Sequence, residues 1–137
     1  MDALMSVGQN INLLDLGQIP DHFQVQNYVN QVKVLQNTDL FITHSGMNSV
    51  NESLYYGVLM VLYPQQSEQK MVAKRVEELG AAIILGKINP KSIYDTARKV
   101  MGNPEYQATA LQLSQIFKDA GGAKATVDAI LKITNNK

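Results

Sequence analysis

The stretch from Leu40 to Glu52 combines residue types that bind phosphate and sugar groups. An apolar run that predicts a strand is followed by a turn of small residues and then by a segment with helical spacing. The N–H groups and the dipole at the start of such a helix attract an anion without Lys or Arg. Gly46 allows close approach of the backbone to an anion, and Asn48 and Ser49 add side-chain donors. Glu52 follows one turn later, where a carboxylate suits vicinal hydroxyls such as those of ribose.

The same residues also have simpler interpretations. Thr43 or Ser45 suits a helix N-cap, His44 an imidazole bonded to the backbone, and Glu52 a solvated helix carboxylate. Two enzyme motifs are excluded by their spacing. Ser45 lacks the Gly-x-Ser-x-Gly pattern of a hydrolase nucleophile, and Gly86-Lys87 lacks both the preceding glycine and the following hydroxyl of a Walker loop.

Two further clusters follow predicted strands. Glu68 and Gln69 come after the apolar run 58–63 and pair a carboxylate with an amide, a combination that suits sugar hydroxyls. They equally suit the first turn of a helix. The segment 28–31 begins with Tyr28, whose ring is suited to stacking on a base or to lying half-buried in a strand.

The pattern along the chain predicts an α/β protein. Strands are predicted at 4–7, 23–29, 40–43, 58–63 and 81–85, and helices at 32–36, 46–56, 68–79 and 92–101. Uniformly apolar runs predict parallel strands covered on both faces. Gly57, Gly80 and Gly102 follow predicted helices and are expected to be left-handed caps. The segment 104–134 is predicted to be helical, with a break at Gly121-Gly122.

Composition excludes several classes of function. The chain has 137 residues, 12 Lys and Arg against 12 Asp and Glu, two His and no Cys. The balanced charge gives no reason to expect nucleic acid or an anionic membrane as a partner. The absence of Cys excludes disulfides and thiolate metal sites. No apolar run approaches the length of a membrane span, and no signal peptide is evident. The composition fits a soluble protein of a reducing compartment, although the absence of Cys is equally compatible with export. We expect a cytoplasmic protein with one domain, residues 1–137, and no metal.

The motifs, taken in order, resemble the donor-binding half of the family 1 UDP-sugar glycosyltransferases, and most of all the bacterial macrolide glycosyltransferases. The matching segments are Phe41-Ile42-Thr43-His44-Ser45-Gly46-Met47-Asn48-Ser49, Glu52-Ser53, Tyr56-Gly57-Val58, Met60-Val61, Pro64-Gln65, Glu68-Gln69, Arg75-Val76, Glu78-Leu79-Gly80 and Ala120-Gly121-Gly122-Ala123. The resemblance implies a Rossmann-like parallel sheet with helices on both faces, ending in C-terminal helices. It also implies that the first strand–helix unit of the usual domain is missing.

The resemblance also implies site residues. The implied sets are His44, Gly46, Met47, Asn48 and Ser49 for the diphosphate, Glu52 for the ribose, Glu68 and Gln69 for the transferred sugar, and Tyr28 and Gln31 for the uracil. Three residues depart from the family pattern. Tyr28 replaces a Trp and Asn30 replaces a Pro in the base-binding segment, and Leu59 replaces the Pro of a Gly-Val-Pro-Met-Val pattern at the entry to the predicted strand 58–63.

The implied reaction is an inverting transfer of a hexose from a UDP-sugar to a small-molecule hydroxyl, with no cofactor and no essential metal. The general base of the family lies on a separate N-terminal acceptor-binding domain, so this chain alone is expected to bind the donor without catalysing transfer. Two alternatives remain: a non-catalytic nucleotide-sugar-binding subunit that acts with a partner chain, and a UDP-sugar epimerase. A missing central strand also predicts pairing of two copies through an exposed sheet edge.

Overall fold

The computed structural model describes residues 2–135, which form two compact units that divide after Val34. The N-terminal unit contains two short strands that pair in parallel, with Ala3 opposite Phe23. Its elements are β1 (Ala3–Ser6), a 3-10 helix (Leu13–Leu16) and β2 (Phe23–Gln26), and α1 (Gln31–Leu35) runs across the boundary. Both strands were predicted from the sequence, and the 3-10 helix was not.

The second strand is shorter than its alternating pattern predicts. The Asn27 side-chain amide donates to the carbonyl of Gly8 at 2.9 Å and to that of Ile11 at 2.6 Å. These bonds tie Asn27 to the loop that follows β1, so the ladder between the strands ends at Gln26. The prediction that this strand continues to Val29 is therefore wrong.

The C-terminal unit alternates strands and helices. Its elements are β3 (Leu40–Thr43), α2 (Met47–Tyr56), β4 (Leu59–Leu62), α3 (Ser67–Glu78), β5 (Ala82–Ile84), α4 (Pro90–Gly102), α5 (Pro104–Asp119) and α6 (Gly122–Asn135). The three strands form a parallel sheet in the order β3-β4-β5. Thr43 pairs with Leu62, and Leu62 pairs with Ile84, so all three strands end at the same edge.

The central strand β4 is buried along its whole length because helices cover both faces of this sheet. Met60 and Leu62 pack with apolar residues of α2 and α3, whereas Leu59 and Val61 pack with Val100 of α4 and a residue of α5. Alternate residues of a strand point to opposite faces, so a fully apolar run was the correct sign of a strand covered on both sides. The predicted fold class, a parallel α/β sheet with helices on both faces, is confirmed.

The C-terminus of α2 is fixed against α5. The Ser114 hydroxyl donates to the carbonyl of Tyr55 at 2.6 Å, and Ser114 is buried. Gly57 ends α2 in the left-handed conformation with φ 67°, as predicted. A β-carbon at Gly57 would lie 3.4 Å from a methyl group of Leu111, so this glycine also allows the close approach of α5.

The predicted left-handed cap at Gly102 is wrong. Gly80 has a positive φ as expected, but Gly102 is the last residue of α4 and has no positive φ. The next residue, Asn103, is extended, and its side chain accepts the N–H of Glu105 at the start of α5. Pro104 explains the difference, because a residue before proline is driven to extended backbone.

The described part of the chain, residues 2–135, contains no helix with the length and apolar character needed to cross a bilayer.

Candidate functional site

The turn between β3 and α2 leaves the sheet beside the segment that follows β4. Thr43 is the last residue of β3, and its carbonyl accepts the N–H of Tyr63 at 2.8 Å. The turn therefore begins at the carboxyl edge of the sheet, where open parallel sheets bind their ligands. Only His44, Ser45 and Gly46 separate β3 from α2.

The N-cap residue of α2 supplies no side-chain cap. Gly46 is the N-cap residue and makes no side-chain cap bond, whereas the N-termini of α4 and α5 are capped by Asn89 and Asn103. The alternative that Thr43 or Ser45 is the N-cap is therefore wrong. An uncapped helix start keeps the partial positive charge of its dipole available to an external anion.

The His44 imidazole lies over the start of α2. A β-carbon built at Gly46 would come within 3.0 Å of the Nε2 atom of His44. The His44 side chain is solvent-exposed, so its ring is accessible to a ligand. The imidazole and the helix start thus provide donors side by side.

Ser45 has an unusual conformation for a residue with a side chain. Among residues 2–135 it is the only non-glycine residue with a positive φ, at 70°. Left-handed backbone costs an L-residue about 1–2 kcal/mol. Ser45 is 0% exposed and its hydroxyl has no hydrogen-bond partner, which adds a desolvation cost of about 1–3 kcal/mol. Its N–H donates to the Thr43 hydroxyl at 3.3 Å, so Thr43 supports the turn.

The turn and the start of α2 line a depression of about 330 Å³ together with one residue from α3. The lining residues are His44, Gly46, Met47, Asn48, Ser49 and Glu68. All five residues predicted for the diphosphate are therefore together, and one of the two predicted for the sugar is with them. Of the lining side chains, only those of His44 and Glu68 are ionisable.

The start of α3 supplies both predicted sugar-binding residues, but they have different local roles. Glu68 lies in the first turn of α3, is exposed and lines the depression. Gln69 is the N3 residue of a capping box with Gln66. Its Oε1 accepts the N–H groups of Gln65 at 2.9 Å and Gln66 at 3.1 Å. These two hydrogen bonds occupy the amide oxygen, so the NH₂ group is the part of the side chain that can contact a ligand.

The predicted ribose-binding and uracil-binding residues lie outside the lining of the depression. Glu52 is half-buried on α2, one turn beyond Asn48. Tyr28 and Gln31 belong to the N-terminal unit, where Tyr28 follows β2 and is 71% exposed, and Gln31 begins α1. Their assignment to ribose and uracil stays a prediction.

The sequence did not single out Ser45 as a residue that shapes the turn. The sequence showed no sign of left-handed backbone at this position, because residues with that conformation are normally Gly or Asn. Gln66, the capping partner of Gln69, was likewise missed. The signal for Gln66 was its position three residues before Gln69, which is the spacing of a capping box.

Comparison with known proteins finds a family and relatives that match most of the chain. The family model described as "UDP-glucoronosyl and UDP-glucosyl transferase" matches residues 11–124. The uncharacterized UDP-glucosyltransferase YojK of Bacillus subtilis is 36% identical over 98% of this chain. The oleandomycin glycosyltransferase of Streptomyces antibioticus is 26% identical over 93% of it.

Solved structures are similar over the same range. The crystal structure of the kitacinnamycin glycotransferase superimposes with a TM-score of 0.86 at 28% identity and covers 96% of this chain. The chain spans about a third of these proteins: 34% of YojK, 30% of the oleandomycin enzyme and 34% of the kitacinnamycin enzyme. The family model matches most of the chain, and the chain has the fold that the motifs implied. The chain therefore belongs to the UDP-glucoronosyl and UDP-glucosyl transferase family.

Proposed function

We propose that this chain binds the UDP-sugar donor of an inverting glycosyltransferase, which transfers a hexose to a hydroxyl group of a small molecule. The observation that carries the proposal is the depression where His44 and the uncapped start of α2 face Glu68. The names of the relatives support the same chemistry, because YojK is described as a UDP-glucosyltransferase and the Streptomyces relative as an oleandomycin glycosyltransferase.

The charges around the depression indicate the orientation in which the donor binds. A diphosphate is attracted to the start of α2 and to the imidazole of His44, and it is repelled by a carboxylate. Glu68 therefore suits the neutral sugar, whose hydroxyls donate to a carboxylate. The NH₂ group of Gln69 supplies the complementary donor, because its oxygen is held by the capping box. The sugar thus lies toward α3 and the diphosphate toward α2.

The nucleoside is assigned to residues beyond the depression. Glu52 follows Asn48 by four residues on the same face of α2, which suits a ribose attached to a diphosphate at the helix start. The exposed ring of Tyr28 offers a stacking surface for uracil, with Gln31 as a hydrogen-bonding partner. Both assignments come from the family resemblance.

The departing UDP gains negative charge as the bond to the sugar breaks. Donors fixed in advance at the helix start and at His44 stabilise that charge at little reorganisation cost. The acceptor hydroxyl also needs a general base, which we assign to polypeptide outside these 137 residues. Residues 2–135 contain no cluster of three or more His, Asp or Glu suited to a metal ion, and we propose that the donor is bound without one.

Calorimetric titration with UDP tests the proposal. We expect His44→Ala and Glu52→Ala each to weaken UDP binding about tenfold, which corresponds to 1.4 kcal/mol. His22→Ala is the matched control, because His22 is the other histidine of the chain, is exposed and lies in the N-terminal unit. Equal affinity in the wild type and all three variants would refute the assignment.

Two further expectations stay predictions. We propose pairing of two copies through an exposed sheet edge, which sedimentation equilibrium would detect as a dimer mass. We also propose a cytoplasmic location, which fractionation of the source cells would test.

A further inference from the structure

Ser45 differs from its neighbours in the turn between β3 and α2. His44 and Gly46 both line the depression, but Ser45 between them does not, and it is completely buried. Its left-handed backbone is disfavoured for any residue with a β-carbon. A disfavoured conformation persists only where the surrounding structure enforces it.

The left-handed residue explains how a three-residue turn brings its two ends to one depression. An extended Ser45 would continue in the direction of β3 and carry Gly46 and α2 away from His44. With φ at 70° the chain reverses at Ser45, so the imidazole of His44 lies beside the start of α2. The conformation of one residue thus sets the relation between the two groups proposed to hold the diphosphate.

The Ser45 hydroxyl takes no part in this arrangement. It has no hydrogen-bond partner, and Ser45 is absent from the lining of the depression. The contact that supports the turn uses the Ser45 N–H, which donates to the Thr43 hydroxyl. The backbone conformation of Ser45, and not its side chain, therefore sets the geometry of the turn.

We propose that Ser45 is a positioning residue. Its left-handed backbone keeps the His44 imidazole beside the first turn of α2, so that both can bind the same diphosphate. This inference rests on the proposed function, since it names what keeps that site in shape. It assigns a role to the backbone of a buried residue whose side chain does not line the depression.

The test compares three substitutions in the full chain. Ser45→Gly favours the left-handed backbone, Ser45→Ala removes only the hydroxyl, and Ser45→Val introduces a β-branched residue that resists positive φ. Ser53→Val is the packing control, because Ser53 is also 0% exposed but lies in the regular helix α2. If Ser45→Val does not fold, Ser45→Thr replaces it, because threonine is also β-branched but keeps the hydroxyl of serine.

Two readouts are measured, the affinity for UDP and the NMR signals of the imidazoles. The chain has only two histidines, so His22 is an internal reference for His44. We expect Ser45→Val to shift the His44 signals, to leave those of His22 in place and to weaken UDP binding at least about tenfold. Ser45→Gly, Ser45→Ala and Ser53→Val should retain wild-type His44 signals and affinity.

Two results would overturn the inference. The first is Ser45→Val with wild-type His44 signals and affinity. The second is Ser45→Ala with the same loss of affinity as Ser45→Val, which would assign the role to the hydroxyl. A wild-type chain that does not bind UDP would instead refute the proposed function, and the His44 signals of the variants would still decide whether Ser45 positions the imidazole.

Discussion

The Nε2 atom of His44 lies 3.0 Å from the point where a β-carbon would stand at Gly46. Gly46 has φ −60° and ψ 140°, which any residue can adopt. The glycine is therefore needed here for space and not for backbone freedom. Its missing side chain makes room for the imidazole over the start of α2, so the two residues act as one feature of the candidate site.

This relationship predicts the effect of Gly46→Ala. The new methyl group must displace the imidazole by a few tenths of an ångström, and we expect UDP affinity to fall about three- to tenfold. The melting temperature should stay close to that of the wild type, because the backbone conformation suits alanine. Calorimetry with UDP and a thermal melt measure the two effects.

Gly86→Ala is the matched control for that variant. A β-carbon at Gly86 meets nothing within 4 Å, and Gly86 has no positive φ. We expect its UDP affinity and melting temperature to match the wild type. Equal UDP affinity in Gly46→Ala and Gly86→Ala would show that the position of the imidazole does not matter for binding.

The second prediction concerns Glu68 and the sugar. Glu68→Gln should lower the affinity for UDP-glucose relative to UDP about threefold or more, because a hydrogen bond to a charged acceptor is replaced by a neutral one. Glu105→Gln is the control, since Glu105 is also an exposed glutamate in the first turn of a helix. If both variants keep the wild-type ratio of the two affinities, Glu68 does not face the sugar.

The third prediction separates two roles of Gln69. Gln69→Ala removes the acceptor of two backbone N–H groups and should cost about 1 kcal/mol of unfolding free energy. Gln69→Glu keeps an acceptor oxygen and should retain most of the stability, but it loses the NH₂ donors. We expect this variant to lose part of its preference for UDP-glucose over UDP. A Gln69→Glu variant with wild-type preference would limit Gln69 to its capping role.

The fourth prediction concerns metal ions. The lining of the depression offers one carboxylate, that of Glu68, and we assign it to the sugar, so no lining carboxylate is left to hold a magnesium ion against the diphosphate. We expect UDP affinity in EDTA and in millimolar magnesium to agree within about twofold at matched ionic strength. A tenfold gain with magnesium would mean that the diphosphate binds as a metal complex.

The sequence predicted the elements of the C-terminal unit well because its signals were strong. The central strand was an uninterrupted apolar run, and both faces of β4 are in fact covered. The candidate site followed from topology. Because parallel strands end at one edge, residues after β3 and after β4 had to approach each other, and His44 and Glu68 do so.

Other features depended on contacts that no local pattern reveals. The end of β2 is set by Asn27, which bonds to a loop 16 residues earlier. The end of α4 is set by Pro104, which overrides the usual preference of Gly102 for a cap. The left-handed Ser45 and the contact between Gly46 and His44 require the folded turn. Sequence alone assigned His44 and Gly46 to the site without explaining their geometry, and it did not assign Ser45 to the site.

The central claim is that the diphosphate of UDP binds at the start of α2. The most direct measurement is a map of backbone amide chemical shifts in the isotope-labelled chain as UDP is added. The account predicts that the largest changes fall on residues 44–49, with further changes at Tyr28, Gln31 and Glu52, to which the nucleoside is assigned. A smaller set at Glu68 and Gln69 should follow if UDP-glucose replaces UDP. A map centred on other residues, or no change at saturating UDP, would contradict it.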